Sequence, residues 1–148
     1  MPFARGLSKV WPIEYYHELA SLVLKEIKTA RIAVFGGKND SFGMTNEMII
    51  DLCGKTSLHQ VAAVLSFCSL AVVGDTGPIQ LAAALDIPVV VIFGGSDVNE
   101  TAPVTKKVSI LNKDYPCAPC RKSPSCKDYP CLKDIKPLEV LMEIKKWI

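Results

Sequence analysis

Apolar positions along this chain fall into two alternating kinds of block. One kind recurs at helical spacing with charged residues between; the other is a short, unbroken apolar run. Residues 1–10 fit neither and read as irregular. From Pro12 to Lys28, Leu19, Leu22, Val23 and Ile27 form one face, while Glu14, Glu18, Lys25, Glu26 and Lys28 supply the wet one. Residues 31–35 are apolar and stop at Gly36-Gly37, which predicts a buried strand running into a loop. Residues 48–52 are read as a strand on length. Gly54-Lys55-Thr56-Ser57 reads as a loop with an N-cap, Gln60 completes a capping box with Ser57, and Leu58, Val61, Ala62, Val64 and Leu65 follow at helical spacing. Residues 108–111 predict a further strand, and 137–147 a terminal amphipathic helix.

The chain is organised around residues 70–95. Leu70 to Val73 lacks polar alternation, so burial on both faces is expected. Gly74-Asp75-Thr76-Gly77-Pro78 is turn chemistry, with Pro78 placed for a first helical turn. An Ala- and Leu-rich helix over 79–85 ends before Pro88, and 89–93 gives another buried strand. The turn of this βαβ unit has free amides at a positive helix end and suits phosphate. An ordinary β–α turn fits equally well, because neither GxGxxG nor GxxxxGK[ST] occurs. Strands alternating with helices predict an α/β fold with a parallel, doubly wound, Rossmann-like sheet. Ligands in such sheets sit at the carboxyl ends of the strands. The loops at 36–40, 75–77 and 94–97 all fall there.

Composition narrows the classes. With 148 residues, 49% hydrophobic and 22% charged, the chain has the size and character of one globular domain. A net charge of +2 gives no case for nucleic acid. No apolar run reaches about 18 residues and no secretory leader is visible, which predicts a soluble, intracellular protein. Cys117, Cys120, Cys126 and Cys131 lie in a Pro-rich loop over 117–131. Disulfides or free thiols are the first reading of this cluster, tetrahedral zinc the second, and an iron–sulfur cluster the third. Cys53 and Cys68 lie in apolar segments and read as core, and His17 and His59 as surface residues.

Asp75-Thr76-Gly77-Pro78 with Leu81-Ala82-Ala83-Ala84-Leu85, then Pro88, Phe93-Gly94 and Asp97, resembles glycosyltransferase family 9, which includes the ADP-heptose:lipopolysaccharide heptosyltransferases. Lys9-Val10-Trp11-Pro12, Gly54-Lys55-Thr56-Ser57-Leu58, and the cysteine-rich tail leading to Asp134-Ile135 and Pro137-Leu138-Glu139-Val140 carry the likeness along nearly the whole chain. The resemblance implies a GT-B arrangement of two Rossmann-like domains, of which residues 1–148 are similar to the C-terminal, nucleotide-sugar-binding one alone. By position, Asp75, Thr76 and Gly77, with Pro78 and Gln80, would lie against the donor diphosphate, Lys9 would place a cation on it, and Asp40 would face the ribose. No metal or other cofactor is required for that chemistry, and zinc at the four clustered cysteines is a separate possibility. The implied reaction passes a heptose-like sugar from an ADP-sugar to a lipopolysaccharide-type acceptor, in the cytoplasm or peripherally at the inner membrane face. The acceptor and the catalytic carboxylate belong to the absent N-terminal domain, so this chain alone is expected to be inactive. A non-catalytic nucleotide-binding or assembly module, or a small zinc or thiol protein, are the alternatives.

Three departures qualify the likeness. Gln80 stands where many members have His, and Phe3 takes the place of a Gly and is expected to crowd the phosphate loop. The first strand of the implied domain is also missing, and its place is between residues 31–35 and 70–73. These two runs are expected to close up and pair directly, with self-association in solution.

Overall fold

A computed structural model describes residues 1–3, 6–120, 126 and 128–148. After a 3-10 turn at Leu7–Lys9 come α1 (Ile13–Glu26), β1 (Ile32–Val34), β2 (Ile49–Asp51), α2 (Leu58–Leu65), β3 (Ala71–Gly74) and α3 (Pro78–Ala84). Then follow β4 (Val89–Ile92), α4 (Val98–Thr101), β5 (Val108–Leu111), α5 (Pro130–Lys133) and α6 (Pro137–Ile144). The terminal helix is shorter than the sequence pattern suggests, because the chain turns after Ile144. The capping box forms as expected: Gln60 N–H donates to Ser57 Oγ, and Ser57 N–H to Gln60 Oε1.

Every strand pairing is parallel. β1 pairs with β2, Ile32 opposite Ile49, and β3, β4 and β5 pair in that order, with Val73 opposite Val91 and Val91 opposite Ile110. The alternation of β4 explains its two-sided burial. Val90 and Ile92 pack with Trp11, Leu19, Leu132 and Val140 on one side, and Val89, Val91 and Phe93 pack with Val61, Ile79 and Ala82 on the other. Helices α1, α5 and α6 thus cover one face and α2 and α3 the opposite one, the doubly wound arrangement.

One expectation fails. β1 and β3 do not pair, so the parallel strands form a two-stranded and a three-stranded sheet. Between them the Met1 amino group donates to Val72 O at 2.7 Å, and below it lies a cavity of about 550 Å³. Side chains of α1 and α2, among them Leu19, Val23 and Leu65, line that cavity. His17 is also not a surface residue. Its Nε2 lies 2.6 Å from Phe42 O and its ring meets Phe42 edge-on. His59 is exposed, Cys53 is buried, and Cys68 is only half-buried.

Candidate functional site

The carboxyl ends of β3 and β4 are crossed by the 3-10 turn. Trp11 anchors this crossing: it is fully buried, its Nε1–H donates to Ile135 O at 2.9 Å, and its ring packs edge-on against Tyr15 and Tyr16. Close approach then demands two glycines. A Cβ on Gly94 would collide with Ser8 O and stand 2.8 Å from Leu132 Cγ, and one on Gly74 would come within 3.0 Å of Lys9 O. These contacts deliver Lys9 to the turn after β3. Its Nζ lies 2.6 Å from Asp75 Oδ2, the carboxylate being 6% exposed and the lysine side chain 35%. Among the described residues no group makes a hydrogen bond of good geometry to that oxygen, so the ammonium serves it as a counter-ion through charge.

The rest of the turn follows. Thr76 Oγ1 donates to Gly74 O at 3.3 Å, Gly77 and Gln80 are exposed, and Pro78 opens α3. Pro78 also borders a second cavity, of about 530 Å³, whose wall includes residues 36–40, Thr56, Leu58 and Phe3. Asp40 stands on that wall with Oδ2 accepting from Gly37 N at 2.6 Å, so its carboxylate shapes the turn. Phe3 packs against Gly36, on the β1 side of the cavity. Lys9, Asp75 and Thr76 therefore come together, with Gly77, Pro78 and Gln80 at their edge and Asp40 across the cavity. Thr56 was not among the candidate site residues, although it lies in the Gly54-Lys55-Thr56-Ser57-Leu58 run that carries the resemblance. Its hydroxyl is buried with no hydrogen-bond partner among the described residues. Asp97, in the third loop, is used locally: it accepts from Asn99 N at 2.9 Å and caps α4.

The cysteine loop lies in part outside the described residues, which omit 121–125 and 127. All six cysteines are free thiols. Burial raises the pKa of the Cys131 and Cys120 thiols, and electrostatic proximity to their neighbours in the cluster adds to it. Among the described residues no group of three or more His, Cys, Asp or Glu is placed to hold a metal ion. No described helix is long and apolar enough to cross a membrane.

The chain is 29% identical over 153 residues to lipooligosaccharide heptosyltransferase 2 of Campylobacter jejuni, covering 95% of this chain and 48% of that protein. It superposes on Escherichia coli ADP-heptose lipopolysaccharide heptosyltransferase II with a TM-score of 0.83 and 26% identity, over 99% of this chain and 44% of that one. An E. coli heptosyltransferase solved with ADP shares the fold, with a TM-score of 0.77 at 22% identity over 100% of this chain and 43% of that one. The chain thus spans under half the length of these relatives. The profile of Glycosyltransferase family 9 (heptosyltransferase) matches residues 1–129, and the chain belongs to that family.

Proposed function

We propose that this chain binds the nucleoside diphosphate of an ADP-sugar, as the donor-binding domain of a heptosyltransferase acting on a lipopolysaccharide-type acceptor. The observation that carries the reading is the Lys9–Asp75 pair in the turn after β3, whose exit into α3 at Pro78 borders the cavity walled by residues 36–40. An ammonium has three donors, and Asp75 engages one side of it. The lysine side chain is 35% exposed, so phosphate oxygens can approach it from the solvent side. Asp75 acts here as a positioning residue that holds the cation at the turn. The cavity walled by residues 36–40 and Thr56 takes the nucleoside, with Asp40 on its wall as the carboxylate for the ribose hydroxyls.

In the transfer, the bond from the sugar's anomeric carbon to the β-phosphate oxygen breaks as the acceptor oxygen bonds to that carbon. Lys9 stabilises the negative charge arriving on the departing diphosphate. The acceptor proton goes to a base outside this chain. Transfer is thus a property proposed for a longer polypeptide, and nucleotide binding for this one.

Calorimetric titration with ADP, AMP and adenosine tests the reading. Lys9→Ala should weaken ADP by about 5- to 150-fold, equivalent to about 1–3 kcal/mol, and leave adenosine unchanged. Equal ADP affinity for the parent and Lys9→Ala would show that the phosphate role is misassigned.

A further inference from the structure

Two thiols of the cysteine loop, Cys117 and Cys120, are held in a defined place outside the proposed donor site. The run Cys117-Ala118-Pro119-Cys120 lies between two anchors. At its start the Tyr115 hydroxyl donates to Asp134 Oδ2, and Ala118 N–H turns back to Tyr115 O at 2.8 Å. At its end Cys120 N–H donates to Gly95 O at 2.7 Å, in the loop after β4. The Cys120 side chain rests on the same glycine, since a Cβ on Gly95 would stand 2.5 Å from Cys120 Sγ and 3.0 Å from Cys120 Cβ.

Inside this bend the two thiol side chains share a hydrogen bond. Their surroundings differ, with Cys117 exposed and Cys120 half-buried. Burial first, then the neighbouring Cys117 and Cys126, raises the pKa of the Cys120 thiol. A thiol shielded in this way is slow to meet a dissolved oxidant, so the exposed Cys117 is the point of entry. Cys131, the remaining buried member of the cluster, is closed to it.

We propose that Cys117 and Cys120 are a reversible redox pair, oxidised by a low-molecular-weight disulfide of the glutathione class, whose closure clamps the cysteine loop onto Gly95. Cys117 Sγ, as the thiolate, attacks one sulfur of the small disulfide. That S–S bond breaks, one small thiolate leaves, and a mixed disulfide forms on Cys117. Cys120 Sγ, losing its proton, then attacks the Cys117 sulfur and releases the second small thiolate. The two protons of the cysteines end on the two small thiols, so the pair loses two electrons and the small disulfide gains them. Closure takes freedom from the opened loop and so favours the state in which Cys120 N–H is bonded to Gly95 O. The inference does not depend on what the site binds.

The test treats the chain with oxidised glutathione or with dithiothreitol, blocks remaining thiols with iodoacetamide and maps tryptic peptides by mass. Cleavage after Lys113 and Arg121 isolates Cys117 and Cys120 together in one peptide. Oxidised glutathione should leave that peptide unalkylated and lighter by two hydrogens, and dithiothreitol should restore it. The Cys120 amide should exchange at least about fivefold more slowly in the oxidised chain, as expected when local opening is restricted. Cys120→Ser should instead accumulate glutathione on Cys117, and Cys117→Ser should leave Cys120 reduced. A parent chain that stays alkylated at both thiols, keeps glutathione on Cys117 without closing, or joins either cysteine to Cys126 or Cys131 would overturn the pair. Equal exchange of the Cys120 amide in the two states would overturn the clamp.

Discussion

Replacing Lys9 by Met and Asp75 by Asn, singly and together, measures how strongly the site's ion pair is built. At 2.6 Å the Coulomb attraction is about 2 kcal/mol in a water-like medium and about 6 kcal/mol at an effective dielectric near 20. The lysine side chain is 35% exposed, which pulls the pair toward the lower figure, and desolvation of the buried carboxylate offsets part of what remains. A coupling energy of about 1–2 kcal/mol follows, above the roughly 0.2–1 kcal/mol typical of exposed pairs. The single changes should be unequal. Lys9→Met strands a carboxylate that is 6% exposed, whereas Asp75→Asn leaves an ammonium that can turn to water. Urea unfolding of the four proteins gives the cycle. A coupling under about 0.5 kcal/mol, or Asp75→Asn as the costlier change, would refute a buried positioning pair.

Gly94→Ala should destabilise the fold by about 1–3 kcal/mol through overpacking against Ser8 O and Leu132, while Gly77→Ala, with open space around it, should be near neutral in the same urea series. Between pH 5 and 8 the unfolded chain binds more protons than the folded one, since the Met1 amine falls from 8.0 to about 5 on folding. Stability should therefore rise with pH across that window, and acetylating the amine should flatten the slope. Burial, then Asp51, pushes the Cys53 thiol up to about 12, so iodoacetamide at pH 8 should modify exposed Cys117 well before Cys53, as peptide mass mapping would report.

Much of the fold was legible because its signals are local. The apolar run at 89–93, stopped by Pro88 on one side and glycines on the other, matches β4 within a residue, and Ser57 with Gln60 marks the start of α2. Short elements such as α4 and α5, four residues each, carry too little periodicity to be seen. The pairing of Lys9 with Asp75 was not legible, although both residues were singled out. It depends on Trp11 reaching Ile135 across 124 positions and on Gly94 admitting Ser8, contacts no local pattern encodes. His17 was misplaced for the same reason, since Phe42 reaches it from a distant loop. The β1–β3 pairing was expected because closure would satisfy the backbone ladder, whereas the two edges stand apart with the Met1 amine and a cavity between them.

Amide exchange of the chain with and without ADP tests the central claim most directly. The account predicts slowed exchange in two segments, residues 75–80 after β3 and residues 36–40 after β1, with little change at the cysteine loop. ADP binding that leaves both segments unchanged, or protects only residues remote from Lys9 and Asp75, would contradict it.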